Sequence, residues 1–354
     1  MRRILVWSLL ISLVCATSTI ASNSGVNCPK IGAISSSKVK GKKQILVCAR
    51  TGKKNSWIPA PTRTTTITVP TEPISNQLSN ILTTALASGT QSATTFTIIS
   101  EAPINQIAEQ ETLKGLNYAA KLYASLDLAI PAQIIVLLGR TQEWIRSTLI
   151  SQGCTDRNIP TLVVTSSNAI SGTCSGGRVA LVTIYTSIAN TDFSGLIFQM
   201  EFPHELFHQW QLNYVKPGIG NTDFPKWLYE GSAQVLSLLA YTSWHQDKSH
   251  VQWHDEWYTK HRPDMRSMCV GVTAEQMLDP STTWPEKEWC AYSKGQLMVE
   301  YLISKFGIQV FKRLFSEQTV GWRTFPVNFQ RVTGQSTADF YSEANAYFTT
   351  RLWQ

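Results

Sequence analysis

The chain has 354 residues and a formal net charge of +7 at pH 7. The positive charge is concentrated at the amino terminus, because residues 1–63 contain eleven of the 31 Lys and Arg residues and no acidic residue. The remaining 20 basic residues face 24 acidic ones, which gives the rest of the chain a net charge of −4. The main part of the chain is therefore not basic. Since no nucleic-acid-reading motif is recognisable either, the sequence argues against a nucleic-acid partner.

The first 21 residues have the pattern of a secretory signal peptide. Arg2 and Arg3 precede an apolar run, residues 4–14, and a small-residue cleavage site ends at Ala21. The run is shorter than the roughly 20 apolar residues that span a bilayer, although an uncleaved anchor is the alternative. We expect export to a secreted or cell-envelope-associated location.

The cysteine pattern fits such an oxidising compartment. Seven cysteines are present, and six remain once Cys15 is removed with the signal peptide. No two cysteines have C-x-x-C spacing, so a zinc–cysteine site is the weaker interpretation. Six cysteines allow about 15 connectivities. The simplest one consists of three local disulfides, which are Cys28–Cys48, Cys154–Cys174 and Cys269–Cys290.

Composition divides the mature chain into three parts. Residues 22–58 are predicted to form a small basic β module, with two strands around a Gly-Lys-Lys turn and one disulfide. Residues 59–74 are rich in Pro and Thr and are predicted to be a linker. Residues 75–354 are predicted to form the main domain. The basic module suggests binding to an anionic cell-envelope polymer or membrane surface; the alternative is that its lysines only solvate a domain with little core.

The main domain begins with alternating strand and helix patterns, which predict an α/β start. A later amphipathic stretch, Gln296–Phe306, predicts a further helix. In chain order the early elements are a strand at Thr94–Ser100, a helix at Ala102–Leu128, a strand at Gln133–Leu138, a helix at Thr141–Ser151, and strands at Thr161–Thr165 and Arg178–Tyr185.

The most informative motif is His204-Glu205-Leu206-Phe207-His208, a His-Glu-x-x-His sequence. On a helix, positions i and i+4 lie on one face, so both imidazoles could bind one metal ion. Glu205 then lies close enough to act as a general base on a water molecule. Pro203 either starts or kinks the helix without disturbing these positions. The alternative is two histidines on a partly buried helix.

A zinc site with two imidazoles needs a third protein ligand. Glu230 lies 22 residues after His208, in the sequence Trp-Leu-Tyr-Glu-Gly-Ser-Ala, residues 227–233. The two motifs together resemble those of the gluzincin metallopeptidases (HExxH…E), which include thermolysin and aminopeptidase-N-like enzymes. The resemblance implies a zinc ion held by His204, His208 and Glu230, with Glu205 as the catalytic base.

The resemblance also implies an oxyanion donor and a fold class. Aminopeptidase-N-like enzymes carry a Tyr-x-Lys-Gly motif at a comparable distance, and Tyr292-Ser293-Lys294-Gly295 is similar to it. Tyr292 is therefore expected to stabilise the oxyanion. The implied fold is an α/β (α+β) thermolysin-like domain with a mixed sheet, an antiparallel edge strand, and a mainly helical lobe after it. By position, Val179–Tyr185 is expected to be that edge, where an extended substrate could pair.

One feature of the sequence limits the resemblance. The Gly-x-Met-Glu-Asn motif of aminopeptidases is missing, so we expect an endopeptidase acting through metal-activated water rather than an aminopeptidase. The alternatives are a non-catalytic envelope-binding protein and a cell-wall peptide amidase.

His250 and His254 repeat the i, i+4 spacing without an intervening Glu. They allow a second metal site, but a polar, tryptophan-rich cleft wall is favoured.

Overall fold

The computed structural model describes residues 27, 34–39, 42–51, 54–59, 74–102, 106–154, 169–173, 179–184, 196–261, 268–269, 272–277 and 285–351. The chain divides into two compact units, Met1–Thr66 and Ile67–Gln354. The predicted signal peptide, most of the predicted linker and the predicted Cys28–Cys48 disulfide lie outside the described part. No helix in the ranges above has both the length and the apolarity that crossing a membrane requires.

The first unit contains a three-stranded antiparallel sheet in the order β1-β2-β3. Its strands are β1 (Ile34–Val39), β2 (Lys42–Thr51) and β3 (Lys54–Pro59). The sequence predicted two strands; the third is present because residues 54–59 pair antiparallel with β2, with Lys54 opposite Thr51. The register also pairs Lys38 with Lys43 at the other end of β2.

The second unit contains a four-stranded sheet. Its strands are β4 (Thr95–Ser100), β5 (Gln133–Gly139), β6 (Ala169–Thr173) and β7 (Val179–Ile184), in the spatial order β4-β5-β7-β6. β4 and β7 both pair with β5 in parallel, and β6 pairs antiparallel with β7. β5 is buried after its first residue, as expected of a central strand covered by helices. The predicted strand Thr161–Thr165 lies outside the described residues.

The expected α/β (α+β) thermolysin-like fold class is wrong. The second unit is mostly helical, and its strands β4 and β5 form a parallel pair. The strand expected at an antiparallel edge, Val179–Tyr185, corresponds to β7, which is parallel to β5 and lies inside the sheet. Chain order suggested the edge, but β6 precedes β7 in the sequence and still adds outside it. Both sides of β7 are therefore paired, so it has no free edge for a substrate.

Helices form the rest of the second unit and most of its core. A π-helical turn, Trp257–His261, follows the helix His250–Glu256. In the described residues the helices are α1 (Ile74–Ala87), α2 (Gln106–Ser125), α3 (Gln142–Ser151), α4 (Leu196–Tyr214), α5 (Lys226–Trp244), α6 (His250–Glu256), α7 (Pro285–Phe306), α8 (Val310–Ser316), α9 (Phe325–Thr333) and α10 (Thr337–Arg351).

The two central helices, α4 and α5, are buried by aromatic packing. Trp210 of α4 is fully buried and packs edge-on against Phe315 of α8, and Trp227 of α5 stacks on Phe340 of α10. Pro203 lies inside α4 rather than at its start. Its carbonyl accepts a hydrogen bond of 2.8 Å from the hydroxyl of Tyr123 on α2. This core fixes α4 and α5 side by side.

Helices α5 and α7 cross at two glycines. A Cβ atom on Gly231 would overlap the carbonyl group of Gly295 and lie 2.8 Å from the backbone nitrogen of Gln296. A Cβ atom on Gly295 would lie 2.9 Å from the carbonyl oxygen of Trp227. The two backbones therefore approach more closely than any side chain would permit. Because Gly231 follows Glu230 directly, this crossing also sets the position of Glu230.

Gly231→Ala is expected to destabilise the protein by about 1–3 kcal/mol, since the added methyl group meets backbone that cannot move aside. The matched control is Gly220→Ala, because a Cβ at Gly220 meets nothing within 4 Å, and its cost should stay within about 0.5 kcal/mol. Urea unfolding of both variants measures the difference. Equal stability of the two variants would contradict the close helix crossing.

Candidate metal centre

The three predicted metal ligands lie together between α4 and α5. His204 and His208 are one turn apart on α4, and Glu230 is in the second turn of α5. The Nε2 atoms of the two histidines are 3.0 Å apart. The Oε2 atom of Glu230 lies 3.3 Å from each of them. The three atoms thus form a nearly equilateral triangle at a site where both imidazoles are buried.

This triangle fits a tetrahedral zinc ion. Zinc binds imidazole nitrogen and carboxylate oxygen at about 2.0–2.2 Å. Bonds of that length at tetrahedral angles put neighbouring ligand atoms about 3.3 Å apart. The observed separations of 3.0–3.3 Å match this value. His204, His208 and Glu230 therefore have the donor types and the spacing of a three-residue zinc site.

The electrostatics of the site favour a cation. Burial by itself lowers the pKa of His208, but the charge of Glu230 and its hydrogen bond outweigh burial and raise that pKa to about 9. Burial conversely raises the pKa of Glu230, while the two histidines lower it well below its usual range. Glu230 therefore stays ionised in a buried site, and its negative charge stabilises a positive charge between the ligands.

Glu205 completes the cluster from the same helix. One ligand atom each of His204, Glu205 and His208 lies within 4.8 Å of the other two. Glu205 is more exposed than the two histidines, which are both buried. A carboxylate at this distance that water can also reach has the position that a general base requires.

Gln211 orients His208, and the sequence did not predict this contact. The Nε2 amide of Gln211 donates to the carbonyl oxygen of Tyr229 and to the Oγ atom of Ser232, both at 2.8 Å. The amide oxygen of Gln211 therefore faces the Nδ1 atom of His208 at 2.6 Å and accepts a hydrogen bond from its N–H group. With Nδ1 protonated, the lone pair of a neutral His208 lies on Nε2 and points at the site.

Gln234, one turn after Glu230 on α5, contacts a residue of its own helix. Its amide oxygen lies 3.5 Å from the Oγ atom of Ser237, on the same helix. The spacing of Gln211, three residues after His208, was the signal that could have found the contact. Gln211 was missed because the partners that fix its amide are on α5, outside the local sequence.

Two tyrosine rings flank the histidines. The ring of Tyr229 stacks on His208, with centroids 4.6 Å apart and planes 11° apart. The ring of Tyr292 stacks on His204 at 5.8 Å and 21°. Tyr292 is partly exposed and lies inside α7, two turns after its first residue, because this helix begins at Pro285, before the predicted Gln296–Phe306 stretch. The predicted oxyanion donor is therefore adjacent to the first predicted ligand.

No family model matches the chain, and no curated protein or solved structure is significantly similar to it. The function proposed below therefore rests on the residues and geometry of this site.

The second histidine pair does not form a comparable cluster. In the part of the chain that the structure describes, the group around His204 is the one whose ligand atoms suit a metal ion. His254 pairs instead with the buried carboxylate of Glu300 at 3.0 Å, and His250 lies 3.2 Å from the hydroxyl of Thr242. Both histidines are buried and paired with neighbouring residues, and the cleft wall suggested for this stretch stays a prediction.

The His254–Glu300 pair predicts a loss of stability at alkaline pH. Burial lowers the pKa of His254, but Glu300 and Asp255 raise it to about 9, above the unfolded value of about 6.5. The stabilisation is thus fully present below about pH 6.5 and is lost as pH rises through about 9. It amounts to something on the order of 3 kcal/mol. Urea unfolding from pH 6 to 10, with saturating zinc, should show this loss in the wild type and not in His254→Gln.

His250→Gln is the matched control for that prediction. Burial and the charge of His254 lower the pKa of His250 to about 3, so this residue loses stabilisation on the acid side, as pH falls from about 6.5 toward 3. The control should keep the alkaline loss. If wild type and His254→Gln lose stability equally between pH 6.5 and 9, the buried ion pair is not the cause.

Proposed function

We propose that the chain is an exported zinc metallopeptidase that cleaves peptide bonds, more as an endopeptidase than as an aminopeptidase. The observation that carries the proposal is the triangle of His204, His208 and Glu230 ligand atoms at 3.0–3.3 Å. Glu205 and Tyr292 lie beside it. These are the residues and the order that the gluzincin motifs contain, which supports membership of that group on the site alone.

Each residue has a role in the hydrolysis. A bound zinc ion supplies a Lewis acid that polarises a carbonyl group and lowers the pKa of water. Glu205 accepts the proton of the attacking water and returns it to the leaving amine. Tyr292 donates a hydrogen bond to the oxygen that becomes negative during attack. Gln211 keeps the Nε2 lone pair of His208 directed at the ligand site.

Endopeptidase activity is favoured over aminopeptidase activity because the motif that anchors the substrate amino terminus in aminopeptidases is missing from the sequence. A peptide library with free and with blocked amino termini separates the two cases. We expect the purified protein with zinc to cleave both kinds of peptide, and we expect this cleavage to stop after a chelator removes the zinc. Zinc should restore the activity. Cleavage of free amino termini alone would favour an aminopeptidase, and cleavage of cell-wall peptides alone would favour an amidase.

A second role, binding to an anionic envelope surface, is proposed for the first unit. Residues 1–63 contain eleven basic residues and no acid, and the register of β1 and β2 brings Lys38, Lys42 and Lys43 close to one turn. We expect the full protein to co-sediment with vesicles that contain anionic lipid and to be released by salt. Replacing these three lysines by Gln should weaken the binding. Unchanged binding would leave the lysines with a solvating role only.

A further inference from the structure

Tyr292 lies in a part of α7 that several contacts tie to other segments. The disulfide Cys269–Cys290 joins the chain before α7 to the residue two positions before Tyr292. On the other side, the ammonium group of Lys294 donates to the carbonyl oxygen of Val272. Both contacts are buried, because Cys269, Cys290 and Lys294 are each at most 5% exposed. Tyr292 thus has a contact on each side, one with Cys269 and one with Val272.

A third contact acts on the same turn. The hydroxyl of Tyr258 donates to the carbonyl oxygen of Ser293 at 3.1 Å. The Sγ atom of Cys269 also lies 3.7 Å from the Oγ atom of Ser293. One turn further, Gly295 meets α5 at the close helix crossing. The backbone around Tyr292 is therefore fixed by contacts that involve neither α4 nor any predicted metal ligand.

We propose that the Cys269–Cys290 disulfide positions Tyr292 against His204, so that turnover depends on the thiol–disulfide state of this pair while zinc binding does not. The inference rests on the proposed peptidase function. The separation follows from the geometry: His204 and His208 are on α4 and Glu230 is on α5, whereas the disulfide holds α7. Closing a loop of this length restricts the opened states of the segment.

An external dithiol such as dithiothreitol can reduce the Cys269–Cys290 disulfide. The S–S bond breaks, each sulfur gains one electron and one proton, and the dithiol is oxidised to its cyclic disulfide. With the bridge open, the turn keeps the contacts made by Lys294 and Tyr258 but loses its covalent link to Cys269. The Tyr292 phenol then spends less time at the position where the oxyanion forms.

The test uses the full-length zinc-loaded protein with Cys269→Ala and Cys290→Ala combined. We expect kcat to fall about 10- to 100-fold, less than the about 10²–10³-fold effect of losing an oxyanion donor outright. KM and the zinc content should stay at their wild-type values. The matched control combines Cys154→Ala with Cys174→Ala, the other disulfide predicted from the sequence for this unit; Cys154 is disulfide-bonded, and Cys174 lies outside the described residues. The control should keep kcat.

A mutant cycle separates positioning from general destabilisation. If the disulfide acts through Tyr292, adding Tyr292→Phe to the Cys269/Cys290 variant should reduce kcat no further than Tyr292→Phe does alone. Fully additive losses, or unchanged kcat in the disulfide variant, would overturn the proposal. So would an equal loss of kcat in the Cys154/Cys174 control.

Hydrogen exchange supplies a readout that needs no substrate. Amides of residues 288–294 should exchange faster in the Cys269/Cys290 variant, and those of α5 should not change. Unchanged exchange at 288–294 overturns the inference. If the wild type cleaves no peptide, the proposed function fails, and the exchange measurement alone then decides whether the disulfide positions this turn.

Discussion

Glu205→Gln should lower kcat by about 10²–10⁴-fold while zinc stays bound in full. The amide of Gln keeps the size of the side chain but cannot accept the proton of the attacking water. Glu205 is the more exposed member of the cluster around His204 and His208, and the three ligand atoms of the predicted site come from other residues. The substitution should therefore slow hydrolysis and leave zinc binding unchanged. The measurement is kcat and KM on a cleaved peptide, together with zinc content.

Glu201→Gln is the matched control, because Glu201 is the acid one turn earlier on α4. The control should lower kcat by less than about 3-fold, because Glu201 is neither one of the three predicted ligands nor the proposed base. If Glu205→Gln retains wild-type kcat, Glu205 is not the base. If it loses both activity and zinc, the residue acts on metal binding and the proposed mechanism needs a different base.

Glu230→Gln is expected to weaken zinc binding by more than about 100-fold, the upper range for losing a residue that only supports a ligand. The neutral amide oxygen is a poorer donor than a carboxylate, and the site also loses the negative charge that raises the pKa of His208. Competition with a chelator of known affinity measures the change. Thermal unfolding is a second measure, because bound zinc stabilises the folded state according to its free concentration.

The expected stabilisation of the folded state by zinc can be calculated for both proteins. At a zinc concentration of about 1,000 times the wild-type Kd, the wild type gains about 4 kcal/mol, and a site that is 100-fold weaker gains only about 1.4 kcal/mol. Glu256→Gln is the control, since Glu256 pairs with Lys248 and Lys260 away from the metal ligands. It should keep the full gain. Equal zinc affinity in Glu230→Gln and wild type would remove Glu230 from the ligand set.

Local elements of the second unit were predicted well. The strand expected at Thr94–Ser100 is Thr95–Ser100, and the helix expected at Thr141–Ser151 is Gln142–Ser151. The apolar residues of α2 are not all buried. Ile107 and Leu113 are 55% and 39% exposed, whereas Leu116 and Leu122 are buried. An amphipathic period shows that a helix exists, but the neighbouring elements decide which side of it is covered.

By itself, the sequence determined the His204–His208 pair, because helical spacing is a local property and puts positions i and i+4 on one face. It also indicated Glu230 and Tyr292, but only through motif resemblance, since nothing local brings α5 and α7 to α4. Tertiary structure decided that approach: Gln211 of α4 hydrogen-bonds to Tyr229 and Ser232 of α5. Gly231 of α5 in turn meets Gly295 of α7. It likewise decided the order of the strands and the burial of His254 beside Glu300. These features depend on packing between distant segments, which no local pattern records.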